Sequence, residues 1–251
     1  MAAWVEGRLT ARRQWTHEHF SLLVEAPGVT FVAGQFGRVG LPGLPGDAEP
    51  MIGRPYSFVN PPHAVPHEFY LIVVPGGPLS PRLAALEPGA PVWLGPRGNG
   101  FFSVSEVPPA DVLWCLATGT GIGPFLSILR TPDPWGRFER VVLVHAVRHV
   151  AELTYREVIA TIEHERAGAF SYVPMVSREV HAPALAGRIP AAIEDGRLES
   201  RVGIALAAEN SHVMLCGNPA MVEDAQKVLA QRAMRRHRRR EPGHVTVETY
   251  W

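Results

Sequence analysis

The pattern of apolar residues changes near residue 108, and this change limits the possible folds more than any other feature of the sequence. Before it, short apolar stretches alternate with Gly and Pro; after it, near-continuous Val and Leu runs alternate with helical segments. The first pattern is typical of antiparallel barrels and the second of a buried parallel sheet. We therefore predict an antiparallel β-barrel domain over residues 1–107, followed by an α/β domain with a parallel, Rossmann-like sheet over residues 108–251.

Local signals place individual elements within these two parts. The barrel part is interrupted by one short helix, with Ser80 as its N-cap and Pro81 at its first position. In the second part, strands are predicted at DVLWCLA, RVVLVHAV, FSYVPMVS, HVMLCG and HVTVETYW. Helices are predicted at GPFLSILR, from about Leu153 to Arg166, and from about Pro219 to Arg238.

Charge and cysteine content exclude several classes of protein. Lys and Arg total 24 against 24 Asp and Glu, so the chain has no general field for nucleic acid or an anionic membrane. Cys115 and Cys216 are too few for a disulfide framework and lack metal-ligand spacing, which favours a reducing compartment. No apolar run reaches about 18 residues, and the N-terminus lacks a signal region. We expect a cytoplasmic monomer without nucleic-acid, membrane or metal partners.

A Gly-rich turn follows the first strand of the second part. Residues 118–124 read TGTGIGP, and a helix comes directly after them. Glycines let the backbone approach a pyrophosphate, and the N-terminus of the helix offers unpaired N–H groups to it. The spacing differs from the dinucleotide motif GxGxxG, and a tight turn without a ligand is the alternative interpretation.

Two arginines directly follow predicted strands, and a third lies in a nearby turn. Arg148 follows RVVLVHAV, Arg178 follows FSYVPMVS, and Arg188 lies in the next Gly-Arg turn. Ligands of parallel sheets bind beyond the carboxyl ends of the strands, and guanidinium groups suit phosphate. Because no acidic residue stands at the end of the second strand, this pattern favours NADP over NAD. Ordinary surface charges are the alternative.

The barrel part carries a tetrapeptide that suits a flavin nucleotide. Arg54, Tyr56 and Ser57 offer a cation, an aromatic ring and a hydroxyl. Strand alternation predicts that Arg54 and Tyr56 share one face while Ser57 points away unless the strand bends. The helix start at Ser80 supplies a second candidate anion site. A polar-capped barrel strand with Tyr56 packed on the core is the alternative.

Four motifs together identify a family resemblance. RPYS from Arg54, GTGIGP from Gly119, CGNP from Cys216 and the final Tyr250-Trp251 have the order and spacing of the ferredoxin–NADP+ reductases. The sequence resembles the bacterial flavodoxin/ferredoxin–NADP+ reductases over essentially its whole length. This resemblance implies an FAD-dependent oxidoreductase that transfers hydride between NADP(H) and FAD. It also implies single-electron transfer to or from ferredoxin or flavodoxin.

The resemblance also implies roles for residues that match the family's motifs. The FAD contacts would come from Arg54, Pro55, Tyr56, Ser57, Tyr70, Leu71, Ile72, Leu79, Ser80, Thr120, Tyr250 and Trp251. The NADP contacts would come from Val147, Arg148, Ser177, Arg178, Arg188, Asn218, Pro219 and Ala220. Around the reacting rings, the resemblance implies Ser57, Cys216, Glu248 and Tyr250, with Tyr250 stacked on the flavin until the nicotinamide displaces it.

Two other functions fit the same motifs. The reductase component of an oxygenase shares both domains but commonly carries a cysteine-ligated [2Fe-2S] module, and this sequence has no such cysteine cluster. A flavin- and NADP-binding electron-transfer subunit without turnover is the second alternative. The basic run from Arg232 to Arg240 is interpreted as a solvated helix end that could help dock an acidic electron carrier.

Overall fold

The computed structural model describes residues 4–45 and 49–249 of the chain. The strands are β1 (Val5–Gln14), β2 (His19–Glu25), β3 (Phe36–Pro42), β4 (Met51–Ser57), β5 (His67–Ile72), β6 (Pro91–Leu94), β7 (Val112–Thr118), β8 (Arg140–Val147), β9 (Phe170–Val176), β10 (Leu185–Ala186), β11 (Ser211–Gly217) and β12 (Val245–Thr249). The α-helices are α1 (Ser80–Ala84), α2 (Gly123–Leu129), α3 (Asp133–Arg137), α4 (Arg156–Glu165), α5 (Ile189–Glu194), α6 (Arg197–Val202) and α7 (Pro219–Gln231). Short 3-10 helices cover Val104–Glu106, Gly119–Ile122 and Val150–Glu152.

The first sheet is antiparallel and closes on itself. Its strands follow the order β4-β3-β6-β1-β2-β5. The two edges meet where Phe58, just after β4, forms an antiparallel bridge with Phe69 of β5. Both phenylalanines are fully buried in an apolar core inside the sheet. Closure of this kind removes free strand edges, and it confirms the predicted antiparallel barrel.

The second sheet is parallel, as predicted. Its order is β10-β9-β8-β7-β11-β12, and helices cover both faces. The chain runs outward from β7 to one side and then returns to place β11 on the other side. In such sheets the carboxyl ends of the two strands at this reversal point form the crevice where ligands bind. Here those strands are β7 and β11.

The last helix ends earlier than the sequence predicts. The residue pattern predicts a helix to about Arg238, whereas α7 ends at Gln231 and the basic run is not helical. Ala233 has a φ of 60°, a left-handed conformation that a helix cannot contain. Arg232, at the C-cap of α7, pairs with Glu199 at 2.7 Å. Met234 packs into the core with 1% exposure. The interpretation of the basic run as a helix end is therefore wrong.

A buried aromatic cluster joins the two halves of the chain. Tyr155, just before α4, has a φ of 58° and inserts its side chain against the barrel. Its hydroxyl lies 2.6 Å from Ser21 Oγ and donates to Glu68 Oε1 at 2.8 Å. Its ring lies 4.6 Å from that of Trp15 and 5.3 Å from that of Tyr70. The two halves therefore share one of the buried apolar clusters. The boundary at residue 108 stays a prediction.

Among the described residues, no helix combines the length and the apolar character needed to cross a bilayer. Nor does any group of three or more His, Cys, Asp or Glu side chains in this part of the chain suit a metal ion.

Candidate active site: two adjoining clefts

The first of two clefts opens on the barrel, and we call it the barrel cleft. It has a volume of about 440 Å³. Its walls come from β3, β4, β5, the segment leading into α1, and the ends of the second sheet. The lining residues are Phe36, Arg54, Pro55, Tyr56, Ser57, Tyr70, Leu71, Ile72, Val74, Gly77, Pro78, Leu79, Ser80, Thr120, Glu248 and Thr249.

All four residues of the RPYS tetrapeptide line this cleft. Strand alternation places Ser57 on the face opposite Arg54 and Tyr56 unless the strand bends, and here Ser57 reaches the same cleft as those two residues. The tetrapeptide occupies the end of β4, where regular pairing stops at Ser57. Arg54 is exposed at the mouth, Tyr56 is half-buried and Ser57 is buried. Burial raises the pKa of Tyr56 to about 12, so its hydroxyl keeps its proton at neutral pH.

The start of α1 differs in detail from the prediction. Leu79, rather than Ser80, occupies the N-cap position, and no side chain caps the helix. The Ser80 hydroxyl instead accepts a hydrogen bond from the backbone N–H of Val74 at 2.9 Å. It therefore holds the preceding Gly-Gly-Pro turn against the end of β5. Both Leu79 and Ser80 still line the barrel cleft.

The barrel cleft fits a flavin nucleotide. Its walls are largely apolar, with rings from Phe36, Tyr56 and Tyr70, while Arg54 stands at the mouth. Flat heteroaromatic rings bind between such walls, and a guanidinium group pairs with phosphate.

The second cleft lies at the carboxyl ends of the parallel strands, and we call it the strand-end cleft. Its volume is also about 440 Å³. The lining residues are His19, Ile72, Thr118, Gly119, Thr120, Ala146, Val147, Arg148, Glu152, Ser177, Arg178, Gly187, Arg188, Ile189, Pro190, Gly217, Asn218, Ala220, Met221 and Asp224. Ile72 and Thr120 line both clefts, so the clefts adjoin there.

Close backbone packing shapes the floor of the strand-end cleft. A Cβ atom on Gly121 would lie 2.5 Å from the carbonyl oxygen of Cys216, so only glycine allows the turn to approach β11. The Thr118 hydroxyl accepts the backbone N–H of Asn218 at 2.9 Å. Asn218 in turn caps α7, since its side-chain oxygen accepts the N–H groups of Ala220 and Met221. These bonds fix the ends of β7 and β11 side by side.

A buried histidine that the sequence analysis did not identify anchors the Gly-rich turn. His145 of β8 is fully buried, and its Nε2 lies 3.0 Å from the carbonyl oxygen of Gly119. Since a carbonyl can only accept, Nε2 carries the proton. Burial lowers the pKa of His145 to about 4, which keeps the ring neutral at pH 7. The only available signal was a polar residue inside an apolar strand.

The three predicted arginines line the strand-end cleft but differ in whether they form ion pairs. Arg148 pairs with Glu18 of the barrel at 3.1 Å and with Glu152 at 3.2 Å. Arg178 and Arg188 are exposed, and within residues 4–45 and 49–249 neither forms an ion pair. The backbone N–H of Arg178 donates to the carbonyl of Arg148 at 3.0 Å, so these strand ends adjoin. The two outer guanidinium groups are therefore available to a phosphate.

Other predicted nucleotide contacts are also found at this cleft. Val147, Ser177, Asn218 and Ala220 line it, whereas Pro219 occupies the first turn of α7 without lining it. The Ser177 hydroxyl donates to the carbonyl of Val147 at 3.2 Å.

Two of the candidates around the reacting rings meet at the barrel cleft. Ser57 Oγ donates to Glu248 Oε2 at 3.5 Å, a long bond between the two halves of the chain. Burial raises the pKa of the Glu248 carboxyl to about 7, although the bond from Ser57 opposes this shift. Cys216 pairs with Glu248 in the sheet register but is fully buried and does not line either cleft. Tyr250 and Trp251 lie outside the described residues.

Replacing Glu248 with Gln should change how stability depends on pH. In the folded protein this carboxyl keeps its proton up to about pH 7, whereas in the unfolded chain it loses the proton near its ordinary pKa. The contribution of Glu248 to the free energy of unfolding is therefore complete below the ordinary pKa and is lost as pH rises to about 7. We expect the melting temperature of Glu248→Gln, relative to that of wild type, to increase as pH rises through this window. Thermal unfolding from pH 4.5 to 8 measures this difference. Glu87→Gln, at an exposed position, should not reproduce this trend.

Comparison with known proteins shows a likeness over the whole chain. A family model described as an oxidoreductase NAD-binding domain matches residues 115–227. The flavodoxin/ferredoxin–NADP reductases of Escherichia coli and Shigella flexneri are each 49% identical over 252 residues, covering 100% of this chain and 100% of each relative. The crystal structure of a ferredoxin NADP+ reductase from Neisseria gonorrhoeae with bound FAD and NADP has a TM-score of 0.92 and 30% identity, covering 100% of both chains.

Proposed function

Because the chain belongs to the flavodoxin/ferredoxin–NADP reductase family, we propose that its two clefts are the FAD and NADP(H) sites of one reaction centre. The enzyme is an oxidoreductase that moves electrons between NADP(H) and ferredoxin or flavodoxin. The observation that carries the assignment is that the barrel cleft and the strand-end cleft meet at Thr120 and Ile72. Two ligands bound there can bring reacting rings into contact.

In this proposal the barrel cleft holds FAD, and residues 1–107 form the FAD-binding domain. When bound, FAD accepts a hydride from NADPH and releases the two electrons one at a time. Tyr56 and Tyr70 provide ring contacts and Arg54 provides charge for a phosphate, while Ser80 fixes the turn that leads into α1. The remaining proposed contacts are Pro55, Leu71, Ile72, Leu79 and Thr120.

The strand-end cleft holds NADP(H), and residues 108–251 form its domain. Arg178 and Arg188 bind the 2′-phosphate because they are exposed beyond β9 and β10. Arg148, beyond the neighbouring strand β8, binds nearer the middle of the nucleotide. Val147, Ser177, Asn218, Pro219 and Ala220 shape the path towards the shared wall.

Ser57 and Glu248 serve the reacting rings in this proposal. They lie at the wall contributed by both halves of the chain, where burial raises the pKa of Glu248 to about 7 and the Ser57 hydroxyl donates to the carboxyl. Cys216 supports this wall from beneath, since it pairs with Glu248 across the sheet. We assign Tyr250 to the gate over the flavin and Trp251 to the adenine on the family's pattern alone.

The partner is a small acidic electron carrier, either ferredoxin or flavodoxin. The proposed docking surface on this chain includes Phe101, which is 63% exposed, and Arg239. The Arg239 guanidinium lies 4.8 Å from the Phe101 ring and pairs with Glu106 at 3.0 Å. Gly100 places this surface beside the barrel cleft, since a Cβ there would lie 3.4 Å from Glu248 Oε1. Opposite charges speed such encounters. We propose that the enzyme is a cytoplasmic monomer and binds no nucleic acid.

The two alternative functions are not favoured. The relatives that match over their full length are reductases of flavodoxin and ferredoxin, so neither an oxygenase component nor a subunit without turnover explains the likeness better.

Anaerobic titration of the purified protein with NADPH and then NADH tests the proposal. We expect the visible flavin band to bleach with NADPH at far lower concentration than with NADH, because only NADPH carries the phosphate for Arg178 and Arg188. Equal bleaching by both nucleotides would refute the phosphate assignment. A colourless protein that shows no reaction with NADPH even after FAD is added would refute the proposed FAD and NADP(H) sites.

A further inference from the structure

His19 is a barrel residue inside the strand-end cleft. It begins β2 and pairs with Ile72 of β5. These two are the only lining residues of this cleft that precede residue 108, within the described part of the chain. His19 is 3% exposed, so its side chain is positioned by the surrounding protein rather than by solvent.

The neighbouring Thr16 fixes which nitrogen of His19 carries the proton. Thr16 Oγ1 accepts the backbone N–H groups of Glu18 at 3.3 Å and His19 at 3.1 Å. Its own proton is therefore the one that bridges the 2.9 Å to His19 Nδ1, since a hydroxyl has one donor and two acceptor sites. Nδ1 is thus the acceptor, and in the neutral ring Nε2 carries the proton.

No protein group in residues 4–45 and 49–249 forms a hydrogen bond with His19 Nε2. The titratable groups that act on the ring include Glu152, Arg148 and Glu18, and of these Glu152 and Arg148 line the cleft. Tyr70 and His145 also lie near the ring. Burial lowers the pKa of His19, which leaves the ring neutral at pH 7. A neutral N–H donor therefore stands in a cleft that also presents a guanidinium group.

The strand order tells which part of a nucleotide His19 meets. Arg178 follows β9, Arg148 follows β8 and Thr120 follows β7, and these strands are consecutive in the sheet. If the 2′-phosphate lies at Arg178 and the nicotinamide at Thr120, Arg148 faces the segment between them. His19 belongs to the group around Arg148.

We propose that His19 binds the pyrophosphate of NADP(H) by donating a hydrogen bond from Nε2. This inference rests on the proposed function and assigns to the barrel a direct contact with the second nucleotide. The donor is pre-positioned because Thr16 holds the other ring nitrogen, so little side-chain entropy is lost on binding. An N–H donor to an anionic oxygen is among the stronger hydrogen bonds in proteins.

Calorimetric titration of the FAD-loaded protein with NADP+ and with 2′-AMP tests this inference. We expect His19→Leu to weaken NADP+ binding about tenfold or more, because a bond to a charged group is lost. His19→Gln, which keeps an N–H donor, should recover part of the loss. His17→Ala is the matched control, since His17 is exposed on the same turn. Binding of 2′-AMP, which lacks the pyrophosphate, should stay unchanged in all variants.

Other outcomes would overturn the inference. Unchanged NADP+ affinity in His19→Leu, or an equal loss for 2′-AMP, would exclude a pyrophosphate contact. If His19→Leu does not fold, nitrogen-15 NMR of the wild-type imidazole decides, because NADP+ must shift the protonated Nε2 resonance and 2′-AMP must not. Failure of wild-type protein to bind NADP+ at all would refute the proposed function, and the inference with it.

Discussion

The double variant Arg178→Ala, Arg188→Ala is expected to bind NADP+ roughly a thousandfold more weakly, while its affinity for NAD+ changes by no more than about threefold. Each guanidinium group is exposed at the strand-end cleft, and neither is neutralised by an ion pair in the described residues. Two charge-assisted contacts with a phosphate together account for an effect of this order. Calorimetric titration of the FAD-loaded variant with each nucleotide measures it.

Arg240→Ala is the control for this prediction. Arg240 is exposed but lines neither cleft, so its removal lowers the positive charge without touching the nucleotide. We expect its affinities to stay close to wild type. Equal losses of NADP+ and NAD+ in the double variant would mean that the arginines support the fold of the cleft rather than the phosphate.

Tyr155→Ala is expected to lower the free energy of unfolding by about 3–5 kcal/mol, the largest stability effect that we predict. This substitution removes a buried ring that contacts Trp15 and Tyr70, together with the hydroxyl that bonds Ser21 and Glu68. Tyr155→Phe keeps the ring and should cost about 1–3 kcal/mol, because buried Ser21 and half-buried Glu68 both lose a hydrogen bond to the hydroxyl. Urea unfolding followed by fluorescence measures both.

Tyr172→Phe supplies the comparison. The Tyr172 hydroxyl is buried but has no hydrogen-bond partner among the described residues, so removing it should cost little or even stabilise the protein. If Tyr155→Phe and Tyr172→Phe have the same effect, the bonds of Tyr155 to Ser21 and Glu68 do not stabilise the folded state.

The sequence predicts the strands well because their signals are local. β8 and β9 appear at the predicted apolar runs. The same kind of pattern also predicts that a barrel comes first and a parallel sheet second along the chain. The end of α7 was not predictable in this way. Helix-forming residues continue past Gln231, but the distant partner Glu199 draws Arg232 away and the core takes up Met234. Such contacts depend on the completed fold.

Site residues that follow the ends of parallel strands could be predicted from the sequence, whereas those in a turn of the barrel could not. Arg148, Arg178 and Arg188 follow strand ends, so the topology of a parallel sheet brings them to one edge. Glu18 and His19 reach the same edge from the opposite half of the chain, more than a hundred residues away in sequence. Nothing near them in the sequence indicates this position, since only the docking of the two halves creates it.

The shared wall at Ile72 and Thr120 limits how this enzyme can change its nucleotide preference. A substitution there alters both clefts together, so any gain for one nucleotide alters the fit of the other. Arg178 and Arg188 stand at the opposite end, where they line only the strand-end cleft. Redesign towards NADH, in the laboratory or by natural divergence, can therefore proceed at that outer end while the inner end stays constant.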